Sequence, residues 1–256
     1  MIEFERVVSL VVNTGNEIKR WRKSDEFSDI TDKHKFKTHA DSMAHDLIIE
    51  GLADITKDIS VVSEEDKVRQ RGERYWLIDP IDGTASWYHG FSGYVCQVAL
   101  IDNGQPTFGV IYAPERNDLW VGQRGKGATY NGQPVKPARK DKPIRSIIDN
   151  TPEPHGVAKY LYDALGLERY VECGSLGLKS VLVCNGEVDL FVKDVVVRDW
   201  DLAPVAAIAN ELNYYLYDIN GKRVCFEQKV EKINGLIISP NLSLIDKVVR
   251  LTKTAS

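Results

Sequence analysis

The stretch WLIDPIDGTASW, residues 76–87, sets two aspartates, Asp79 and Asp82, three positions apart around a proline. Because Pro80 cannot donate a strand hydrogen bond, we expect a strand to stop there and the chain to turn with both carboxylates on one side. Two ionised carboxylates a few ångströms apart repel each other at low dielectric, so the pair needs a proton or a cation between them. A hard divalent cation such as Mg²⁺, which prefers carboxylate, carbonyl and water ligands, is the natural partner.

Two other acidic segments follow apolar runs. SVVSEED, residues 60–66, reads as a strand ending in three acids, of which Glu64 is the first. VVVRDWDLAP, residues 195–204, places Asp201 before an apolar stretch with a proline in a first-turn position, which indicates a helix N-terminus. Taken singly, the acids after the strand are typical of a solvated loop and Asp201 is typical of an N-cap. Together with Asp79 and Asp82, they indicate a site.

Composition narrows the functional classes. The chain has 256 residues, of which 43% are hydrophobic, enough for one large domain or two tightly joined ones. Its net charge of -4 provides no basic field for a nucleic acid polymer. No apolar run is long enough to cross a bilayer and the N-terminus lacks a signal-peptide pattern, so we expect a cytoplasmic protein without a membrane partner. The four cysteines form no CxxC pair and the five histidines show no HExxH or similar spacing, so a bound metal must be held by oxygen ligands.

Periodicity predicts an α+β fold. Apolar spacing indicates a helix over residues 2–21, and Thr38 can cap a second helix that runs to about Leu52. Short β-branched and aromatic runs follow, with a hairpin signal at Asn103-Gly104. A charged segment near residue 140 divides the chain into an N-terminal half, 1–140, with the main metal site, and a C-terminal half, 141–256, that completes it. Helices and strands alternate irregularly, so we expect layered mixed sheets and not a doubly wound parallel fold.

The motifs SEED, DPIDGT and WDLAP, in this order, resemble those of the inositol monophosphatase superfamily of magnesium-dependent, lithium-sensitive phosphatases. The resemblance extends over nearly the whole chain. It implies an α-β-α-β-α sandwich, Mg²⁺ as the cofactor, a small phosphorylated substrate and a homodimer. Such enzymes use two metal ions in the attack of water on a phosphate monoester.

The resemblance also implies roles for individual residues. The metal ligands that it implies share an oxygen donor: Glu64, Asp79, Ile81 through its carbonyl, Asp82 and Asp201. By this resemblance, Glu64, Asp79 and the Ile81 carbonyl would hold one magnesium, and the three aspartates would hold the second. Thr84 with Glu64 would orient and deprotonate the attacking water, and Asp79 would complete the catalytic set. The backbone of Gly83 and Thr84 would contact the phosphate, and Asp201 would also contact the substrate.

One segment departs from the family pattern. Members usually carry an acid a few residues before the threonine of a T-x-A-D motif, where it helps to bind a third magnesium. Here DKHKFKTHAD, residues 32–41, has three lysines at that point, Lys33, Lys35 and Lys37. Either the loop brings Asp32 into place, or a lysine replaces the third cation's charge, or activity is reduced. Our hypothesis is that Lys35 occupies the position, and the alternative is three solvated lysines.

The segment ECGSLGLK, residues 172–179, resembles the GS-x-G-x-K form of the superfamily's 3'(2'),5'-bisphosphate nucleotidases. That resemblance makes Ser175 and Lys179 candidates to contact a second phosphate of 3'-phosphoadenosine 5'-phosphate. A helix-surface lysine beside packing glycines is the alternative. Inositol phosphate, histidinol phosphate and sugar phosphates stay open as substrates, and a non-catalytic binding module is a further alternative.

Overall fold

The computed structural model describes residues 2–24, 27, 29–32, 37–66, 71–138, 143–226 and 229–254. Seven helices are assigned in this part of the chain: α1 (Phe4–Trp21), α2 (His39–Ile55), α3 (Thr84–Tyr88), α4 (Gly156–Ala164), α5 (Leu176–Cys184), α6 (Asp199–Glu211) and α7 (Leu242–Thr254). Among them, none combines the length and apolarity that a bilayer span needs.

The first sheet has seven strands: β3 (Ser60–Ser63), β4 (Arg74–Asp82), β5 (Val95–Asp102), β6 (Gln105–Ala113), β7 (Asp118–Gln123), β8 (Gly127–Tyr130) and β9 (Gln133–Pro134). They lie side by side in chain order, and β3 and β4 are parallel while the later pairs are antiparallel. The predicted hairpin joins β5 to β6, and Asn103 and Gly104 both have positive φ, as this tight turn requires.

The second sheet has five strands: β10 (Ser146–Asp149), β11 (Arg169–Glu172), β12 (Leu190–Lys193), β14 (Tyr215–Tyr217) and β16 (Leu236–Ser239). Their order is β11-β10-β12-β16-β14, with the first two pairs parallel and the last two antiparallel. Two short antiparallel ribbons complete the described strands: β1 (Ile30–Asp32) with β2 (Lys37–Thr38), and β13 (Val197–Arg198) with β15 (Glu231–Lys232).

Alternating side chains divide the interior into three apolar cores. On one face of the first sheet, Trp76 and Ile78 pack with α1 and α2, while on the other face Tyr75 and Leu77 belong to the core that holds α5 and α6. The second sheet closes this central core, and its outer face packs against α4 and α7. The layers are therefore helix, sheet, helix, sheet, helix, and the predicted fold class is confirmed. The division into halves near residue 140 stays a prediction, since residues 139–142 lie outside the described chain.

Two glycines let α6 approach the first sheet closely. A Cβ atom built on Gly109 of β6 would lie 2.3 Å from the Pro204 carbonyl oxygen, and one on Gly122 of β7 would lie 2.6 Å from the Ile208 Cα atom. Backbone atoms cannot yield as a flexible side chain can, so these positions exclude a larger residue. The contact fixes the position of the helix that carries Asp201.

Gly109→Ala is therefore expected to lower the free energy of unfolding by about 1–3 kcal/mol, the usual cost of overpacking. Urea unfolding followed by circular dichroism measures the change. Gly72→Ala is the matched control, because a Cβ atom there would lie 3.5 Å from its nearest neighbour, an ordinary contact. The control should stay within about 0.5 kcal/mol of wild type. Equal stability of the two variants would contradict the close helix-sheet contact.

Candidate metal centre

A bulge in β4 brings Asp79 and Asp82 to the same face of the sheet. Asp79 pairs with Gln97 and Asp82 with Val95, so three steps along β4 match two steps along β5. Residues three apart in a regular strand point to opposite faces, and one extra residue cancels this difference. The prediction that the strand stops at the proline is wrong, because β4 continues to Asp82. The irregular register is the physical reason why both carboxylates can still converge.

Asp201 reaches the same place from α6. Carboxylate oxygens of Asp79, Asp82 and Asp201 all lie within 4.8 Å of one another. The second carboxylate oxygen of Asp201, Oδ2, accepts a 2.7 Å hydrogen bond from the Arg198 backbone N–H, so the residue is both a helix cap and a member of this cluster. The three aspartates of the motifs are therefore brought together as predicted.

The position of Pro204 differs from the sequence prediction. Helix α6 begins at Asp199, so the proline lies in its second turn and not in its first. A proline there leaves the carbonyl four residues earlier, that of Trp200, without its helical hydrogen bond. The side-chain amide of Gln97 on β5 donates to this oxygen at 3.2 Å. A side chain of the first sheet thus provides a hydrogen bond to a carbonyl oxygen of α6, next to Asp201.

Asp82 also holds the N-terminus of α5. Its Oδ2 accepts hydrogen bonds from the Ser175 hydroxyl at 2.7 Å and the Gly177 backbone N–H at 2.5 Å, and its Oδ1 accepts one from the Leu176 N–H at 3.2 Å. A Cβ atom at position 177 would lie 2.9 Å from Asp82 Oδ2, so only glycine allows this approach. Burial raises the pKa of Asp82, and the hydrogen bonds at this helix N-terminus, which favours a negative charge, oppose that rise.

The cluster needs a positive charge. Burial raises the pKa of Asp79 well above its ordinary value, and the negative charges of Glu64, Asp82 and Asp201 raise it further. Burial likewise raises the pKa of Asp201, with Asp82 and Glu64 adding to the effect. Within the described residues, Asp79 Oδ1 is buried and has no hydrogen-bond partner. Buried polar atoms normally have a partner, so this atom indicates that a cation belongs here.

The donor set fits a hard divalent ion. The converging atoms are carboxylate oxygens, with no thiol or imidazole in the group that the described residues form. Oxygen-only sites of this kind suit magnesium, calcium or manganese. The residues that would hold such an ion are Asp79, Asp82 and Asp201. When bound, such an ion supplies Lewis-acid charge that neutralises phosphate oxygens and makes water a better nucleophile.

Glu64 lies at the edge of this group. It follows β3, and its backbone N–H donates to the Ile78 carbonyl of β4 at 3.2 Å. Burial is the main cause of its raised pKa, and the Lys37 ammonium opposes that shift. Lys37 Nζ lies 3.7 Å from Glu64 Oε1 and forms an ion pair with Glu65. Lys35, the residue of our hypothesis, lies outside the described residues, as does Lys33, so that hypothesis is untested.

Thr84 contacts Asp41, the acid of the T-x-A-D motif. Its Oγ1 lies 2.9 Å from Asp41 Oδ1 and 3.0 Å from the Ile81 carbonyl oxygen. The other oxygen of Asp41 accepts hydrogen bonds from the Thr38 N–H and hydroxyl, both at 2.7 Å. Asp41 is therefore a member of the site that sequence reasoning missed, although the T-x-A-D match was a signal that pointed to it.

Gly83 makes the turn from β4 into α3 possible. Its φ is +94°, a left-handed conformation that side chains rarely adopt. A Cβ atom there would also lie 2.8 Å from the Gly93 carbonyl oxygen. The turn places Thr84 at the first position of α3, directly after β4 with its two clustered aspartates. The predicted contact of this backbone with phosphate stays a prediction.

Ser175 and Lys179 are buried in the wall behind the acidic centre. Ser175 donates to Asp82 and caps α5 by accepting from the Leu178 N–H at 2.9 Å. The Lys179 ammonium donates to the Gly174 carbonyl at 3.2 Å and lies 3.9 Å from Asp149 Oδ1, and only 4% of its side chain is exposed. Lys179 is not an exposed helix-surface lysine. The direct substrate contacts predicted for both residues stay predictions.

A cavity of about 600 Å³ adjoins the same wall, with Gly83 and Gly174 in its lining. Asp79, Asp82 and Asp201 do not line it. The acidic centre, and not this cavity, is therefore the candidate site for chemistry.

Comparison of the chain with known proteins identifies its family. The model of the inositol monophosphatase family matches residues 4–253, nearly the whole chain. The chain belongs to the inositol monophosphatase family. It is therefore a phosphatase, a phosphoric monoester hydrolase of a family that uses divalent metals, and its acidic cluster lies on two of the three motifs that carried the resemblance, DPIDGT and WDLAP.

Individual relatives cover most of the chain. The chain is 31% identical over 238 residues to the 3'(2'),5'-bisphosphate nucleotidase CysQ of Escherichia coli K12, covering 90% of this chain and 96% of the relative. It is 26% identical to a fructose-1,6-bisphosphatase/inositol-1-monophosphatase of Thermotoga maritima, covering 90% of both chains. Among solved structures, a Thermotoga maritima IMPase superposes with a TM-score of 0.82 at 24% identity and covers 96% of this chain and 95% of the other. That likeness supports the fold.

Proposed function

We propose that this phosphatase uses Mg²⁺ to hydrolyse the 3'-phosphate of 3'-phosphoadenosine 5'-phosphate, giving AMP and inorganic phosphate. The observation that carries the hydrolytic chemistry is the convergence of Asp79, Asp82 and Asp201 around the unpartnered Asp79 Oδ1. Magnesium is the ion proposed, because it accepts carboxylates and keeps positions open for substrate phosphate oxygens. A homodimer stays a prediction of the family resemblance.

The chain's own residues would orient the water. In the hydrolysis, the water oxygen forms a bond to phosphorus, the bond from phosphorus to the 3' oxygen breaks, and that oxygen takes up a proton. The Thr84 hydroxyl has one proton, and with Asp41 Oδ1 at 2.9 Å as its acceptor it keeps lone pairs that can accept from a water. We propose that this pair holds the water in line with the phosphorus atom. Phosphoryl transfer depends chiefly on such positioning and on charge neutralisation.

The substrate class rests on the likeness to CysQ. The shared identity extends over 90% of this chain and is not confined to the metal motifs. Two residues carry the GS-x-G-x-K resemblance. Ser175 donates a hydrogen bond to Asp82, and Lys179 donates one to the Gly174 carbonyl. Ser175 thus joins this segment to the proposed metal ligand Asp82, which supports a role of the segment in specificity.

An inositol phosphate is the second candidate substrate. The likeness to the Thermotoga maritima fructose-1,6-bisphosphatase/inositol-1-monophosphatase covers the same share of the chain at lower identity. The acidic centre is compatible with both substrates, because it would act only on the phosphate group that is cleaved and not on the rest of the molecule.

Phosphate release from a substrate panel tests the proposal. The panel holds 3'-phosphoadenosine 5'-phosphate, AMP, inositol 1-phosphate, histidinol phosphate and fructose 1,6-bisphosphate, all with magnesium, and Asp79→Asn controls for contaminating phosphatase. We expect kcat/KM for 3'-phosphoadenosine 5'-phosphate to exceed the others by at least about tenfold, or roughly 1.4 kcal/mol of discrimination. Preference for inositol 1-phosphate would keep the metal chemistry and overturn the proposed substrate.

A further inference from the structure

Lys37 is a buried cation next to the acidic centre. The residue is 8% exposed and begins strand β2, just before Thr38, which caps α2. Its ammonium forms an ion pair with Glu65, lies 3.7 Å from Glu64 Oε1 and lies 3.5 Å from the Glu64 carbonyl oxygen. A buried lysine requires such partners, because desolvation of an unpaired charge is costly. The contacts direct the ammonium toward the carboxylate at the edge of the metal centre.

The charges around Glu64 show what this ammonium does. Glu64 lies within electrostatic range of the negative charges of Glu65, Asp41 and Asp82, and Lys37 is a cation that lies against it. Glu64 in turn lies within electrostatic range of Asp79 and Asp201 in the centre itself. The Lys37 ammonium thus lies against the same carboxylate that is a candidate metal ligand.

We propose that Lys37 is a positioning residue, a tethered cation that competes with a divalent ion at the Glu64 end of the centre. An ammonium about 4 Å from a carboxylate satisfies part of its charge and repels a second cation that approaches the same oxygens. The ion at this end is consequently bound more weakly than it would be without the lysine. The inference rests on the proposed metal centre, and it concerns the affinity of that centre and not the identity of its substrate.

Isothermal titration of chelator-treated protein with magnesium tests the inference without any substrate. Lys37→Met removes the charge and keeps an unbranched side chain, whereas Lys37→Arg keeps the charge. Lys126→Met is the matched control, because it makes the same substitution at an exposed lysine in a turn. We expect Lys37→Met to bind magnesium on the order of tenfold more tightly than wild type, given the size of a unit charge effect at this distance. Lys37→Arg and Lys126→Met should keep the wild-type affinity.

A second readout guards against a folding defect. The magnesium-dependent rise in melting temperature should be larger for Lys37→Met and for a second neutral variant, Lys37→Gln, because tighter ion binding stabilises the folded state more. Magnesium affinity in both neutral variants equal to or weaker than that of wild type would overturn the role of Lys37. A wild-type protein that binds no divalent ion would instead overturn the metal centre and the inference with it. Absence of turnover on every phosphate ester would overturn the proposed function. It would not change the conclusion about Lys37, because the calorimetric titration uses no substrate.

Discussion

Asp79→Asn is expected to lower kcat/KM for phosphate release by about 10³-fold or more and, in the absence of metal, to make the protein more stable than wild type. The activity loss follows from removing one charge that faces the reacting phosphate through the metal centre, an effect of the size seen when an enzyme loses an electrostatic group. Asparagine has the same shape, so the fold is kept. The variant should therefore lose activity and gain metal-free stability, a combination that few other substitutions in this chain should produce.

The gain in stability follows from the charges around Asp79. Its pKa in the folded protein is raised well above the ordinary value of 3.8, by burial first and then by the neighbouring carboxylates. A carboxyl group of this kind favours the folded state at low pH, and that contribution is lost as pH rises above 3.8 through the folded pKa. At neutral pH the metal-free wild type therefore bears a cost that the neutral asparagine does not.

Thermal unfolding in chelator and in excess magnesium measures both signs. In chelator we expect Asp79→Asn to gain about 1–3 kcal/mol, or about 2–4 °C in melting temperature for each kcal/mol. Added magnesium should raise the melting temperature of Asp79→Asn by less than it raises that of wild type, because the variant lacks one metal ligand. Asp118→Asn is the matched control: Asp118 is also buried, but its oxygens have Arg116 and Tyr130 as partners at 2.6 Å. That variant should lose stability in both buffers. A chelator-treated Asp79→Asn that melts below wild type would contradict the buried repulsion.

Thr84→Val is the substitution with the next largest expected effect. It should lower kcat by about 10²-fold, the lower end of what a proton-handling group contributes, with little change in magnesium affinity. The reason is that valine keeps the shape of threonine but cannot donate to Asp41 Oδ1 or accept from a water. Steady-state kinetics on the best substrate, together with magnesium calorimetry, separates a loss in turnover from a loss in metal binding.

Thr84→Ser provides the rescue for this experiment. Serine restores the hydroxyl, so its kcat should return to within about threefold of wild type, a free-energy difference below 1 kcal/mol. Wild-type turnover in Thr84→Val would exclude the hydroxyl from the reaction. A large fall in magnesium affinity would instead show that Thr84 acts by holding the Ile81 carbonyl, which its hydroxyl also approaches at 3.0 Å.

Local sequence patterns predicted the layers of the fold well. The apolar stripe of the first helix and the capping pattern at Thr38 correspond to α1 and α2, and the Asn103-Gly104 turn joins β5 to β6. These features are decided by neighbours a few residues apart, which is the range that periodicity reports. The aspartates of the DPIDGT and WDLAP motifs likewise converge, because they lie at the end of β4 and at the start of α6.

Contacts between distant segments could not be predicted in the same way. The bulge between Asp79 and Asp82 depends on register with β5, and the hydrogen bonds of Asp82 reach residues at the start of α5. The Gln97 amide that satisfies the Trp200 carbonyl comes from another layer of the fold. No local period encodes such partners. Lys37 is a similar case, since a lysine next to an acidic loop is usually solvated, and here burial makes it part of the centre.

Phosphate release from chelator-treated protein, as magnesium is added back, is the most direct test of the central claim that these aspartates form a hydrolytic metal centre. Using the best substrate of the panel, we expect no release above the Asp79→Asn background without metal and full recovery as magnesium is restored. Release at the wild-type rate in chelator, or recovery by magnesium in Asp79→Asn to the wild-type level, would contradict it.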